Sequence, residues 1–273
     1  MAGSAITLFK KIFGRKTLVN ISDLWPLSAV ELGAMREGGK IYDIFAWIER
    51  YIYRNADGIF GQSEEIIRHV NQFPSTKNKF VYRNLQQYAV AAQPKRKHTP
   101  FRIVYAGLLG VAQDIYSIIE NIPFQSIGAE FHLYGGGNQA EKIKEYINKH
   151  PGCFVYYHGY VKKEQIAEEL SRYDASIVPL TVAIKGAVPS KIYDLIPIGI
   201  PILFCGGGEG AEIVSKYYFG MVSKPHDFKQ LHNNIIELIN LPDEEYSTIS
   251  KNCLDMAKMN SILTNRYIAV TIL

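Results

Sequence analysis

The chain is 273 residues long and contains 47% hydrophobic and 21% charged residues, which is typical of globular proteins and excludes an intrinsically disordered chain. Its net charge of +4 is too small to favour nucleic acid as a partner. No run reaches the roughly 18 apolar residues that a membrane-spanning helix needs. The three cysteines follow no disulfide or metal-ligand spacing. We therefore expect a cytoplasmic protein without a metal centre.

The first part of the chain has the pattern of a small α/β domain. Residues 8–16 alternate basic and apolar side chains, which fits either an amphipathic helix on an anionic membrane surface or a surface helix that packs its phenylalanines inward. The first strand places Asp23 just beyond its carboxyl end. Strands and helices are predicted in turn at residues 17–21, 41–54, 58–61, 64–70 and 79–82.

A linker is predicted at residues 89–100, where two prolines accompany a basic run. Strand patterns follow at residues 101–105, 130–134, 153–157, 175–179 and 201–204 and around 221–222, with helix patterns at 115–120, 139–149, 163–172, 210–216 and 244–273. Regular alternation indicates βαβ units on a parallel sheet. Such a sheet binds ligands beyond the carboxyl ends of its strands.

The Pro-Ser-Lys segment near the middle of this alternation is the most informative part of the chain. Pro189 interrupts the preceding structure, and Ser190 is a good N-cap for a short helix. Phosphate is favoured at such a helix start beside Lys191, and Asp194 offers a carboxylate to sugar hydroxyls. This combination is what a nucleotide-sugar site needs. Pro197 should kink this helix or end it early.

Seven short motifs follow one another along the chain. They are Ser22–Pro26, Glu49 with Ala56–Asp57, Arg83–Asn84, Tyr105–Gly110, Tyr134–Gly137, His158–Val161, and Val188–Asp194 with Gly199–Pro201. This order resembles the retaining group 1 glycosyltransferases of GT-B fold, and is most similar to the bacterial branch that builds surface polysaccharide on lipid carriers. Each motif alone is weak, whereas the order is fairly specific.

The resemblance implies an α/β, GT-B-like fold with two Rossmann-like parts. Residues 1–90 would form an incomplete N-terminal, acceptor-side domain. Residues 91–255 would form the nucleotide-sugar-binding domain with its parallel sheet. Residues 256–273 would form a helix that crosses back to the first domain.

The resemblance also implies transfer of a sugar, with retention, from a UDP- or GDP-sugar donor to a lipid-linked or saccharide acceptor. No cofactor or metal is expected, and peripheral contact with the inner membrane face is left open. Lys191 and Asp23 would be catalytic, the first toward the leaving diphosphate and the second toward the acceptor hydroxyl. The donor would be bound by Gly107, Gly110, Gly135, Tyr160, Ser190, Lys191 and Asp194.

Each of these residues also has a purely structural interpretation. The Gly107–Gly110 stretch either contacts phosphate or forms a plain tight turn. Gly135 either lies beside the nucleotide or gives a flexible strand exit. Asp23 fits an Asx-turn equally well, Asp194 fits a carboxylate that stabilises its helix, and Lys191 fits a surface lysine.

The chain departs from the family pattern in three ways. The first acid of the family's acidic pair falls at Gly186, and the stretch 111–114 lacks the family's basic pair. The Ser22–Pro26 motif also lies much closer to the start than in relatives, which implies that the first half of the acceptor domain is missing. The alternative function is therefore a truncated, non-catalytic nucleotide-sugar-binding remnant, or a subunit completed by a partner chain or a second copy.

Overall fold

The computed structural model describes residue 14 and residues 16–73, 78–83 and 97–272, with side chains up to residue 259. The amphipathic segment predicted over residues 8–16 and most of the linker predicted at 89–100 lie outside the described residues. Two compact units make up the chain. The N-terminal unit comprises Met1–Asn84 with Ala183–Val188, and the C-terminal unit comprises Leu85–Val182 with Pro189–Leu273. The predicted boundaries after residues 90 and 255 stay predictions.

The N-terminal unit has a three-stranded parallel sheet in the order β1-β2-β3. Its elements are β1 (Leu18–Ile21), α1 (Leu27–Glu31), α2 (Lys40–Asn55), β2 (Gly58–Gly61), α3 (Glu64–Val70) and β3 (Asn78–Val81). Ile59 and Ile66 are fully buried between sheet and helices. As predicted, Ser63 caps α3, and its hydroxyl oxygen accepts the Ile66 N–H at 3.0 Å. Helix α1 was not predicted from the sequence.

A six-residue segment from much later in the chain completes this unit. Backbone N–H groups of Lys185 and Gly186 donate to the carboxylates of Glu31 and Glu65, each at 2.7 Å. The Ser63 hydroxyl donates to the Gly186 carbonyl oxygen, also at 2.7 Å. Charge-assisted hydrogen bonds of this kind are stronger than neutral ones. They fix the segment Ala183–Val188 on the N-terminal unit.

The C-terminal unit has a six-stranded parallel sheet in the order β6-β5-β4-β7-β8-β9. Its strands are β4 (Phe101–Ala106), β5 (Ala129–Tyr134), β6 (Val155–Gly159), β7 (Ala175–Pro179), β8 (Ile202–Cys205) and β9 (Gly220–Ser223). Its helices are α4 (Ile115–Asn121), α5 (Ala140–Lys149), α6 (Ile166–Leu170), α7 (Ser190–Leu195), α8 (Gly208–Lys216), α9 (Phe228–Asn240) and α10 (Asp243–Ile272). Strands β5 and β6 follow β4 on one side of it, and β7, β8 and β9 follow on the other side. The predicted α/β class is confirmed.

Differences from the sequence prediction are confined to element ends and two missed helices, α1 and α9. Helix α6 spans only Ile166–Leu170 instead of 163–172, and β6 lies two residues later than predicted. Helix α9 was missed, although Leu231, Ile235 and Leu238 are buried along one of its faces. These residues have helical spacing, so the signal was present in the sequence.

Candidate functional site

A cavity of about 350 Å³ lies in the C-terminal unit where the strand order reverses between β4 and β7. Ligands of open α/β sheets bind at such reversal points, and the volume is in the range of small-molecule sites. The cavity is lined by Ala106, Lys163, Ile166, Leu170, Ser176, Ser190, Lys191, Asp194 and Leu195. Three of the predicted donor-binding residues, Ser190, Lys191 and Asp194, are therefore brought together here.

The Lys191 amine reaches the glycine turn that follows β4. A Cβ atom placed on Gly107 would lie only 2.1 Å from Lys191 Nζ, and the same nitrogen lies 5.4 Å from the centre of the Tyr105 ring. Burial lowers the pKa of Lys191, while the nearby Asp194 carboxylate raises it. The ammonium is thus partly dehydrated and held at the carboxyl end of β4, where an anion that entered the cavity would interact strongly with it.

Asp194 lies one turn after Lys191 on the same helix and is half-buried. Burial raises the pKa of this carboxyl, and the ammonium charges of Lys191 and Lys163 act in the opposite direction. Lys163 was not predicted as a site residue. It follows the His-Gly-Tyr-Val motif in a short basic pair, and nothing in the local sequence distinguishes a lysine that lines a cavity from one that faces solvent.

Three turns at the carboxyl ends of β4, β5 and β6 are hydrogen-bonded to one another. The Gly107 N–H donates to the Tyr134 carbonyl oxygen at 2.9 Å, and the Gly135 N–H donates to the Gly159 carbonyl oxygen at 2.7 Å. Gly135 has a φ of +121°, and a Cβ there would lie 1.9 Å from the Gly107 carbonyl oxygen. The two predicted glycines are therefore in contact through their backbones, in a geometry that needs glycine.

Two other predicted residues belong to these turns instead of to the cavity lining. Gly110 is buried, and its carbonyl oxygen accepts the N–H groups of Gln113 and Asp114 at 3.2 and 3.0 Å. Tyr160 is 83% exposed, and a Cβ on Gly136 would lie 2.1 Å from its hydroxyl oxygen. Direct donor contact by Gly110, Gly135 and Tyr160 stays a prediction.

The prediction that Ser190 caps α7 is wrong. Pro189 occupies the N-cap position without a side-chain hydrogen bond, and Ser190 is the first helical residue. The Pro189 carbonyl oxygen instead accepts the Ile192 N–H at 3.0 Å. The early helix end expected from Pro197 is confirmed, because α7 gives way to a 3₁₀ turn that stops at Gly199 with a φ of +73°.

Asp23 belongs to the N-terminal unit. It is exposed just beyond β1, and its backbone carbonyl oxygen accepts the Trp25 N–H at 3.1 Å. It lines a groove of about 590 Å³ together with apolar α2 residues such as Phe45 and Ile48. An acceptor-side role for Asp23 is compatible with this exposure and stays a prediction.

Gly186 lies at the position where the resemblance places the first acid of the family's acidic pair. The residue has a φ of +77°, and a Cβ there would lie 3.0 Å from the Leu24 side chain and 3.1 Å from Ile66. A larger side chain would be both strained and crowded at this position. The assignment of Asp194 as the second acid of the pair stays a prediction.

Nucleotide affinity should fall on acidification. The fall should come at a higher pH than if it depended on an aspartate with an ordinary pKa. The resemblance predicts that ribose hydroxyls donate to the ionised Asp194 carboxylate; affinity would then be full above its raised pKa and lost as the pH falls through that pKa. Titrating UDP from neutral into mildly acidic pH would show this loss. Asp194→Asn has no charge to lose and serves as the reference, because titration of the diphosphate itself affects both proteins alike. Identical pH profiles would contradict this role.

Residues 100–241, just over half of the chain, match the sequence profile of the family described as glycosyl transferases group 1. The chain therefore belongs to the group 1 glycosyltransferase family. The matched region contains the cavity and the three hydrogen-bonded turns. No curated protein sequence matches the chain.

Solved glycosyltransferase structures share the fold at low sequence identity. TarM from S. aureus is 18% identical over 86% of this chain, with a TM-score of 0.61. HepE from Anabaena, in complex with UDP, is 15% identical over 99% (TM-score 0.72). Sucrose-phosphate synthase from Thermosynechococcus elongatus is 16% identical over 99% (TM-score 0.71). The chain spans 48% of TarM, 76% of HepE and 71% of the synthase. The predicted GT-B fold is confirmed.

Among the described residues, every helix is too short or too polar to cross a bilayer. The described side chains contain no group of three His, Cys, Asp or Glu residues placed to hold a metal ion.

Proposed function

We propose that this chain transfers a hexose or acetamidohexose from a UDP- or GDP-sugar to a lipid-linked or saccharide acceptor, with retention, in the synthesis of surface polysaccharide. The observation that carries the proposal is the Lys191 amine, held against the Gly107 turn inside a cavity at the strand reversal. TarM and HepE, which share the fold, have structures that contain UDP. The TarM structure also contains saccharides.

Each group at the site has a part in this chemistry. Negative charge develops on the departing diphosphate as the bond from the sugar to phosphate breaks, and the Lys191 ammonium stabilises that charge. Asp194 accepts the ribose hydroxyls and so fixes the donor relative to Lys191. Asp23 orients the acceptor hydroxyl or removes its proton. The proposal includes no metal ion or other cofactor, because Lys191 supplies the positive charge.

The proposed location of the chain follows from its proposed acceptor. A lipid-linked acceptor lies in a membrane, so we place the chain at the cytoplasmic face of that membrane as a peripheral protein. A partner chain or second copy that covers the acceptor side is part of the same proposal. The basic, apolar residues 8–16 are its membrane-contacting candidates.

The test is sugar transfer by the purified chain. Radiolabelled UDP- and GDP-sugars are incubated with a bacterial lipid extract and with oligosaccharides, and labelled product is separated by chromatography. Product formed by wild type and lost in Lys191→Ala supports the proposal. Failure to bind either UDP or GDP at millimolar concentration would remove its basis.

A second candidate is a non-catalytic nucleotide-sugar-binding subunit. The glycine at position 186, crowded by Leu24 and Ile66, favours it because the family's first acid has no counterpart there. This candidate predicts nucleotide binding without any transfer product in the same assay. Transfer by the chain alone would exclude it.

A further inference from the structure

The aromatic ring of Tyr105 is fixed in place near the end of β4. Tyr105 is fully buried, and its hydroxyl donates to the Leu108 carbonyl oxygen at 2.6 Å. A side chain that is packed in the core and hydrogen-bonded to the following turn is held in one rotamer. The ring is therefore a rigid wall beside the glycine turn.

The Lys191 amine lies over the face of this ring, with its nitrogen 5.4 Å from the ring centre. At this distance an ammonium group is attracted by the π-electrons of the ring. Gly107 leaves the room for it, because a Cβ there would lie 3.2 Å from the Tyr105 hydroxyl oxygen and 2.1 Å from the Lys191 nitrogen. The amine is therefore in contact with both the ring and the glycine turn.

An aromatic neighbour matters more to this amine than it would at the protein surface. Lys191 is partly dehydrated, and burial lowers its pKa. The attraction between an ammonium group and an aromatic face increases when water is removed. An uncharged ring replaces part of the lost hydration and leaves the positive charge available, whereas a carboxylate in contact with the amine would neutralise it.

We propose that Tyr105 is a positioning residue, whose ring holds the Lys191 ammonium group at the Gly107 turn for the diphosphate of the donor. A lysine side chain is flexible along its four-carbon stem, so a fixed aromatic wall reduces the entropy that binding would otherwise cost. The inference rests on the proposed function, because it assumes that Lys191 meets a diphosphate. Tyr105 acts through Lys191 and does not itself contact the donor.

The contact is tested first on the free protein, by the rate at which an amine reagent labels Lys191 at different pH values. Mass spectrometry quantifies the labelled peptide. Tyr105→Leu removes the ring, so the charged form of Lys191 loses a stabilising partner and its pKa should fall. Labelling at a fixed pH below that pKa should become about three- to tenfold faster. Tyr105→Phe keeps the ring and should be labelled like wild type.

The effect on the donor site is tested with UDP in a double-mutant cycle. Tyr105→Leu should weaken UDP binding about fivefold in calorimetric titration. In a chain that carries Lys191→Met, the same change should have no further effect, because the charge that the ring holds is absent. An equal loss in both backgrounds would mean that Tyr105 contributes only packing, and the proposal would be overturned.

Tyr246→Leu is the matched control, and circular dichroism melting checks that each variant is folded. Tyr246 is also fully buried, and its hydroxyl donates to the Asp174 backbone carbonyl oxygen at 2.8 Å, but its ring faces Lys97 instead of Lys191. The control should leave the labelling of Lys191 and the UDP affinity unchanged.

Two results of the labelling experiment would overturn the proposal. One is an equal shift in Tyr105→Leu and in the control, which would indicate general loosening of the core, and the other is no shift in either. Absence of UDP binding by wild type would overturn the proposed function, whereas the labelling of Lys191 still decides whether Tyr105 holds its charge.

Discussion

Lys191→Ala is expected to weaken UDP and GDP binding by about 100-fold, the largest functional effect of any single substitution in the cavity. The reason is the position of the amine, which lies against the Gly107 turn and is partly dehydrated by burial. A partly buried ammonium that meets a diphosphate gains more than an exposed one, and its removal leaves the anion uncompensated. The measurement is calorimetric titration at constant pH and low salt.

Two variants separate this electrostatic role from a packing role. Lys191→Met keeps the length of the side chain and its apolar contacts, so it should lose binding as severely as the alanine variant. Lys216→Ala removes an exposed lysine at the end of α8 and should bind like wild type. If Lys191→Met retains normal affinity, the charge is not required, and the assignment of Lys191 to the diphosphate is wrong.

Gly135→Ala is expected to lower the free energy of unfolding by about 3 kcal/mol or more. The new Cβ would lie 1.9 Å from the Gly107 carbonyl oxygen, which belongs to backbone and has little freedom to move. The φ of +121° is also unfavourable for alanine. Urea unfolding followed by circular dichroism measures the change as a lower midpoint at constant slope.

Gly128→Ala is the matched control, since it makes the same substitution at a positive φ without the contact. Gly128 has a φ of +70°, and a Cβ there would meet no atom within 4 Å. Only the backbone preference is lost, so the cost should be about 1 kcal/mol. Equal destabilisation by the two variants would mean that the packing of the β4 and β5 turns contributes nothing, contrary to the structure.

The sequence predicted the parts of the fold that local patterns determine. Alternating apolar runs and helical spacing located the strands of the larger sheet, and Ser63 and Pro197 marked local boundaries correctly. The cap at Ser190 was wrong because Pro189 occupies the position before the helix itself. Proline has a fixed φ suited to a helix start, and the preference of serine for a cap did not outweigh it.

The cavity was only partly predictable for a different reason. Lys191 and Asp194 lie in one short motif, so a family resemblance was enough to find them. Lys163 comes from a separate loop and joins them only through the topology of the sheet. Likewise, the contact between Gly107 and Gly135 depends on neighbouring strands, and no local rule gives the distance between two turns.

The hydrogen bonds of Lys185 and Gly186 to Glu31 and Glu65 limit how the protein can be dissected. A recombinant fragment that starts at Phe101 would contain every strand of the larger sheet but would deprive the stretch Ala183–Val188 of its anchors. That stretch ends at Val188, so only Pro189 and Ser190 separate it from Lys191. In such a fragment the chain that leads into α7 would have a free, unanchored start, so ligand measurements should be made on the intact chain.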